Sequence, residues 1–301
     1  MKKANSLVVM LALALAITCV PSAPAQTFKK QKVNGNTPLV QVIAGGASVW
    51  ALAGNGNPYV FNGTSFVLAN SVSLSQIAVG GGTAVQADAV WALNSSGDIY
   101  RASKSGGSWT FSLVPGSLDL IEVGPGYQDK CHPYEVWGLN TSSEIYRYNF
   151  CKNNFDQEPG ILCDIKVGGG EVWGAQCGPN VFRFNFNSGN FDQISDPFEA
   201  EPVLAVGADG RLWAIDTGNS VVYQYDAFYA SSGFQVIECC LTQLAAGGDG
   251  LWALSGTSVY RFEESQLDFL NIPGSLVTIS VGNSGIWGIN SSHQVFAFST
   301  P

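Results

Sequence analysis

Four arginines, Arg101, Arg147, Arg183 and Arg261, each follow directly after an aromatic residue in successive stretches of the chain. A guanidinium held at a fixed place could orient the carboxylate or phosphate of a sugar, because its planar fork of donors matches either anion. The competing reading is a solvated strand face on which each arginine sits opposite an acid. Asn94, Asn140, Asp216 and Asn290 form a second series, in segments such as Asn94-Ser95-Ser96-Gly97 that read as tight turns. Their side chains could hydrogen-bond sugar hydroxyls, although asparagine also simply tolerates turn backbone. Trp109 is a third candidate: alone among the tryptophans it stands outside the repeat described below, so its ring is the one free to stack on a sugar.

Other chemistries lack their residues. There is no GxSxG, no HExxH and no phosphate-cradling GxxxxGK[ST]. The runs Gly80-Gly81-Gly82 and Gly168-Gly169-Gly170 fall at one and the same point of the repeat and read as tight turns. His132 and His293 are the only histidines and no CxxC occurs, so neither a metal nor a cofactor is expected. The acid pairs Glu199 with Glu201 and Glu263 with Glu264 are sequence neighbours, a poor match to two carboxylates set across a glycosidic bond. No catalytic residue is assigned, and the protein is not expected to be an enzyme.

A repeat must position these residues. Val49-Trp50-Ala51-Leu52 returns as Val90-Trp91, Val136-Trp137, Val172-Trp173, Leu212-Trp213, Leu251-Trp252 and Ile286-Trp287, at a spacing of about forty residues. Eight to ten residues after each tryptophan comes an aromatic: Tyr59, Tyr100, Tyr146, Phe182, Tyr223, Tyr260 and Phe296. Ahead of each lies an apolar segment ending in small residues, such as Ile121-Glu122-Val123-Gly124. The unit reads as four antiparallel strands: a, small at its end; b, with the tryptophan; c, with the aromatic; and d, more variable. That is a propeller blade. Hydrophobic residues at 46%, charged ones at only 12% and 35 glycines suit short, mutually buried strands rather than amphipathic helices.

Strand d also carries a marker aromatic, found at Phe66, Trp109 with Phe111, Phe155, Phe191, Phe234 and Phe269, and the chain ends just after the last strand c. Phe28 supplies the seventh. Thr27–Val33 is therefore expected to complete the last blade and to close an all-β ring of seven four-stranded antiparallel blades, with six blades as the alternative.

Lys2 and Lys3, the apolar run Leu7–Val20 and the small residues Ala23-Pro24-Ala25 read as a signal peptide over 1–25, leaving a single propeller domain over 26–301. A secreted or periplasmic protein without a membrane span is expected. The formal charge of −9 falls to −11 without Lys2 and Lys3, and no basic cluster is expected to remain, so nucleic acid is not an expected partner. Six cysteines follow the leader. Loop placement favours Cys131 with Cys151 and Cys163 with Cys177, and leaves Cys239 and Cys240 as a vicinal disulfide, free thiols or a link to another chain.

The pattern I-x-V-G, then V-W-G/A-L-N, then I-Y-R, then P-G resembles the tectonin repeat. Ile121 to Gly124, Val136-Trp137-Gly138-Leu139-Asn140, Ile145-Tyr146-Arg147, Pro115-Gly116 and Pro273-Gly274 carry it, and the resemblance runs from about Phe28 to Phe298. It implies a β-propeller, six-bladed in familiar members, and a lectin that binds glycans or bacterial cell-surface polysaccharide. The expected function is thus a non-enzymatic carbohydrate-binding propeller. The alternative is a protein-binding or structural propeller, which the irregular segments Tyr127–Glu135 and Cys151–Gly160 of the third unit would serve.

Overall fold

The computed structural model describes residues 27–299 except 83–86, 127–128, 195–196 and 226–232. The proposed leader, and the first two residues of the third unit's insert, lie outside the described residues. Seven sheets form, each ordered a-b-c-d, and apart from one 3-10 turn at Asn34–Asn36 the described elements are all strands. Blade two is Gln76–Gly80, Ala89–Leu93, Asp98–Ser105 and Ser108–Ser117; blade three is Leu120–Gly124, Glu135–Leu139, Glu144–Asn149 and Asn154–Ile161; blade four is Asp164–Gly168, Glu171–Ala175, Val181–Asn185 and Asn190–Ile194. The a-b, b-c and c-d pairings are antiparallel, as hairpin connections require.

Each repeat tryptophan points at the following blade. Trp91 meets Tyr148 at 4.6 Å, Trp137 meets Phe184 at 4.7 Å, Trp173 meets Tyr225 at 5.0 Å and Trp213 meets Phe262 at 4.7 Å, all edge to face. Trp287 of blade seven meets Phe61 of blade one at 4.8 Å, which closes the circle. Burying a ring of roughly 200 Å² at about 25 cal/mol per Å² stabilises each such joint by up to about 5 kcal/mol. The partner ring stands two residues beyond the first aromatic of strand c. Blade two has Ala102 there, and Trp109 from its strand d fills the gap instead, 4.6 Å from Trp50.

Where an inner strand ends in glycine, it approaches so closely that a side chain there would collide with the next blade. A Cβ on Gly80 would strike the carbonyl of Val123, and one on Gly247 that of Val281. Side chains stitch these inner edges together. Gln76 donates to the carbonyl of Ile121 and accepts from its amide, both at 3.1 Å, and Ser280 accepts from the amide of Ala44 at 2.9 Å.

Thr27–Lys30 pairs with the last strand c, from Thr27 opposite Ser299 to Lys30 opposite Phe296, and Phe28 packs on Trp252 at 6.0 Å. The closing segment is shorter than the sequence suggests. Lys32–Val33 leaves blade seven and lies parallel to Ser65 and Phe66, adding a fifth strand to blade one. Cys131–Cys151 and Cys163–Cys177 are disulfides with Cα atoms 5.0 and 5.2 Å apart, and Cys239 and Cys240 are free and exposed.

Candidate functional site

Register decides what the recurring arginines do. Trp91, Trp137, Trp173 and Trp252 lie opposite Arg101, Arg147, Arg183 and Arg261 in the b-c pairing, so each guanidinium stands on the same face as its own blade's tryptophan. Three of them lie over that ring, at 5.7 Å for Arg101, 5.4 Å for Arg147 and 5.6 Å for Arg183. Strand periodicity puts the residue two before the tryptophan on this face as well. In blades three and four it is a glutamate, Glu135 and Glu171, and each grips its arginine through two parallel hydrogen bonds.

Blade three closes this unit off. Glu135 is fully buried and Arg147 keeps a tenth of its side-chain exposure. Glu135 accepts from Arg147 at 2.8 and 2.7 Å and from Trp137 Nε1 at 2.8 Å, so one carboxylate takes the facing edge of the guanidinium and the indole N–H together. Phe184 and Phe186 of blade four roof the guanidinium at 5.7 and 5.3 Å.

Blade four leaves the same unit open. Arg183 bonds Glu171 at 2.8 and 2.6 Å, yet its side chain stays 41% exposed and that of Glu171 27%. The Glu171 carboxylate holds the guanidinium more firmly protonated than usual, against the opposing pull of burial. The pair lines a cleft of about 380 Å³ with Phe186, Asn185, Asn187 and Asp192. Trp173 Nε1 is buried without a partner. This cleft offers an ion pair with free edges, an aromatic ring and the amide of Asn187, that of Asn185 being engaged by Asp192 and the turn backbone, a mixture of donors, acceptors and apolar surface that a sugar face requires.

The turn residues are spent locally. Asn94 accepts from the amides of Ser96 and Asp98 at 2.9 Å and donates to the Asp98 carboxylate at 2.7 Å. Asn140 and Asn290 repeat this with Ser142 and Glu144, and with Ser292 and Gln294. Asp216 is fully buried and accepts from the amides of Glu199, Ala200 and Gly218. Trp109 is half-buried by its packing on Trp50, with Lys104 over its ring at 5.4 Å. Arg261 reaches Glu263 at 3.3 Å, its strand b having Gly250 where a glutamate would stand.

The structure brings together residues that the sequence reading keeps apart. Glu135, Glu171 and Phe186 were not among the candidates, yet Glu-Val-Trp at 135–137 and 171–173, with Arg ten residues after each tryptophan, is a local signal for the pair. A basic cluster does exist, contrary to expectation. Lys30, Lys32 and His293 line a cleft of about 450 Å³ where the closing segment crosses between blades. Among the described residues no group of three or more His, Cys, Asp or Glu could hold a metal, and no helix is long and apolar enough to cross a membrane.

The family model described as Tectonin domain matches residues 25–197 and 162–300. Among curated proteins, none matches the sequence. Solved structures of similar shape include YCF48 bound to D1 peptide, at 13% identity and a TM-score of 0.64 over 93% of this chain and all of that one. Virginiamycin B lyase from Staphylococcus aureus aligns at 15% identity and 0.64 over 91% and 99%, and a streptogramin B lyase at 12% and 0.66 over 92% and 98%. At these identities the likeness is one of fold alone.

Proposed function

We propose, from the premise that this chain belongs to the tectonin family, that it is an exported, non-enzymatic carbohydrate-binding propeller whose sugar site is the open cleft of blade four. The observation that carries this reading is the Glu171–Arg183 pair, which keeps its bidentate geometry while staying exposed beside Phe186. A sugar hydroxyl can accept from the outer edge of the guanidinium and donate to the carboxylate, and a C–H face can lie on the ring. Neither step needs an acid or base to change protonation state.

A glycan array on the full protein, including methylated and lipopolysaccharide-derived sugars, tests this directly. Binding to a defined set of glycans that Arg183→Ala weakens at least tenfold supports the proposal. Uniformly blank spots overturn it and favour the protein-binding alternative. That reading draws on blade three, where Cys131–Cys151 ties two loops on one face of the ring.

A further inference from the structure

Blade two holds the third version of the arginine unit, and it is incomplete. Arg101 lies over Trp91 at 5.7 Å and over Phe150 at 5.3 Å, as Arg147 lies over Trp137 and Phe186. The residue two before the tryptophan is Ala89, so the carboxylate of Glu135 and Glu171 has no counterpart. Among the described residues Arg101 is in no ion pair; it interacts instead with the neutral Tyr148 hydroxyl, and its side chain is exposed. Trp91 Nε1 is a second feature of the unit, shared with Trp173 Nε1, which is also unpartnered although Glu171 stands beside it. Trp91 is fully buried and this donor has no partner, whereas the equivalent donor of Trp137 is taken by Glu135. Beside Arg101 opens a cleft of about 350 Å³ between blades two and three, lined by Ser103, Ser112, Pro115, Tyr148 and Asn153.

We infer that this cleft takes the carboxylate of an acidic sugar, a uronic acid residue, which supplies from outside the group that Glu135 supplies from within. The inference rests on the lectin reading and adds a charged specificity to it. A carboxylate set against Arg101 from the cleft accepts two charge-assisted bonds from the guanidinium, which itself lies over the Trp91 ring and so couples the site to that indole. One guanidinium matches one negative charge. On a chain with a formal charge of −9 a single carboxylate is better accommodated than a polyanion.

The test is an NMR titration of the full protein with methyl glucuronide, its methyl ester and methyl glucoside, read on the assigned Trp91 indole N–H. The acid is expected to shift this resonance saturably and to bind at least tenfold tighter than the ester or the glucoside. Ala89→Glu builds the missing carboxylate into the chain and is expected to abolish the response while giving Arg101 an acidic partner. Arg101→Gln removes the same response by deleting the donor, so a folding failure in either variant leaves the other decisive. Equal binding of acid and ester, or an Ala89→Glu variant that binds the acid as the parent does, overturns the inference. Neutral glycans bound through Arg183 with no preference for acids sink this proposal alone, and a protein that binds no glycan, acidic or neutral, sinks the lectin reading as well.

Discussion

In blade three Glu135 has no solvent exposure and Arg147 a tenth, while in blade four the matching side chains keep 27% and 41%. Both pairs have the same chemistry, the same register and nearly the same hydrogen-bond lengths. The difference comes from outside the blade. Arg147 is covered by Phe184 and Phe186, which belong to the next blade round the ring. In a propeller, then, a motif is written within one repeat but its role is set by the neighbour that packs on it. The same three residues become a structural joint under Phe184 and Phe186, and a candidate binding surface in blade four, where among the described residues the next blade sets one ring, Tyr225, against Trp173.

Removing the acids separates the two pairs most sharply. Glu135→Ala leaves the buried guanidinium uncompensated and is expected to cost about 3–5 kcal/mol. That corresponds to a fall in Tm on the order of 10 °C by calorimetry. Glu171→Ala removes half of a solvent-screened pair and is expected to cost less than about 1 kcal/mol. Equal losses would erase the distinction between the blades.

Removing the roof comes next. Phe186→Ala is expected to destabilise by about 2 kcal/mol, less than a fully buried phenylalanine because its ring is half-buried. It also lets water reach Arg147. In a double-mutant cycle, Glu135→Ala should therefore cost less in the Phe186→Ala background than in the parent. Strict additivity would show that the neighbour's rings do not control the pair.

Acid sensitivity is the smallest effect. Asp129 and Asp156 flank the loops of blade three. Against the upward push of burial, the His132 ring and the amide of Cys131 hold Asp129 below its ordinary value of 3.8. Lys152 and Asn149 do the same for Asp156. A depressed carboxyl contributes stability that is full above its unfolded value and lost as pH falls through its folded one. The melting temperature should therefore drop more steeply below pH 3.8 in the parent than in Asp129→Asn. Parallel pH profiles would remove these loops from the comparison.

Much of this architecture is legible in the sequence, because a ring of repeats needs the same bulky residue at every joint. The tryptophans give the blade count, and Phe28 marks the closing strand. The role of Trp109 is also written in the chain, but indirectly. Phe61, Tyr148, Phe184, Tyr225, Phe262 and Phe298 form a series broken only at Ala102, and Trp109 compensates for that break rather than standing free. The arginine series is equally visible. What its members face is not, because Glu135 and Glu171 occur in two units of seven, and burial depends on residues about forty positions further along. Asn94, Asn140 and Asn290 show the opposite limit, since hydrogen bonds two to four residues away absorb the very groups that suggest a ligand.

The crossing segment Thr27–Val33 also sets the order in which the molecule can be assembled. Six blades are built from strands contiguous in the chain, so each can form as soon as about forty residues are available. Blade seven joins the first strand to the last, with Ser299 bonded to Thr27 across 272 positions. Until the final strand is synthesised, Phe28 has no Phe298 to pack against and the arc stays open at both ends. A ring closed in this way is complete only when the whole chain is, so its slowest folding step should be the search of one short terminal strand for its distant partner.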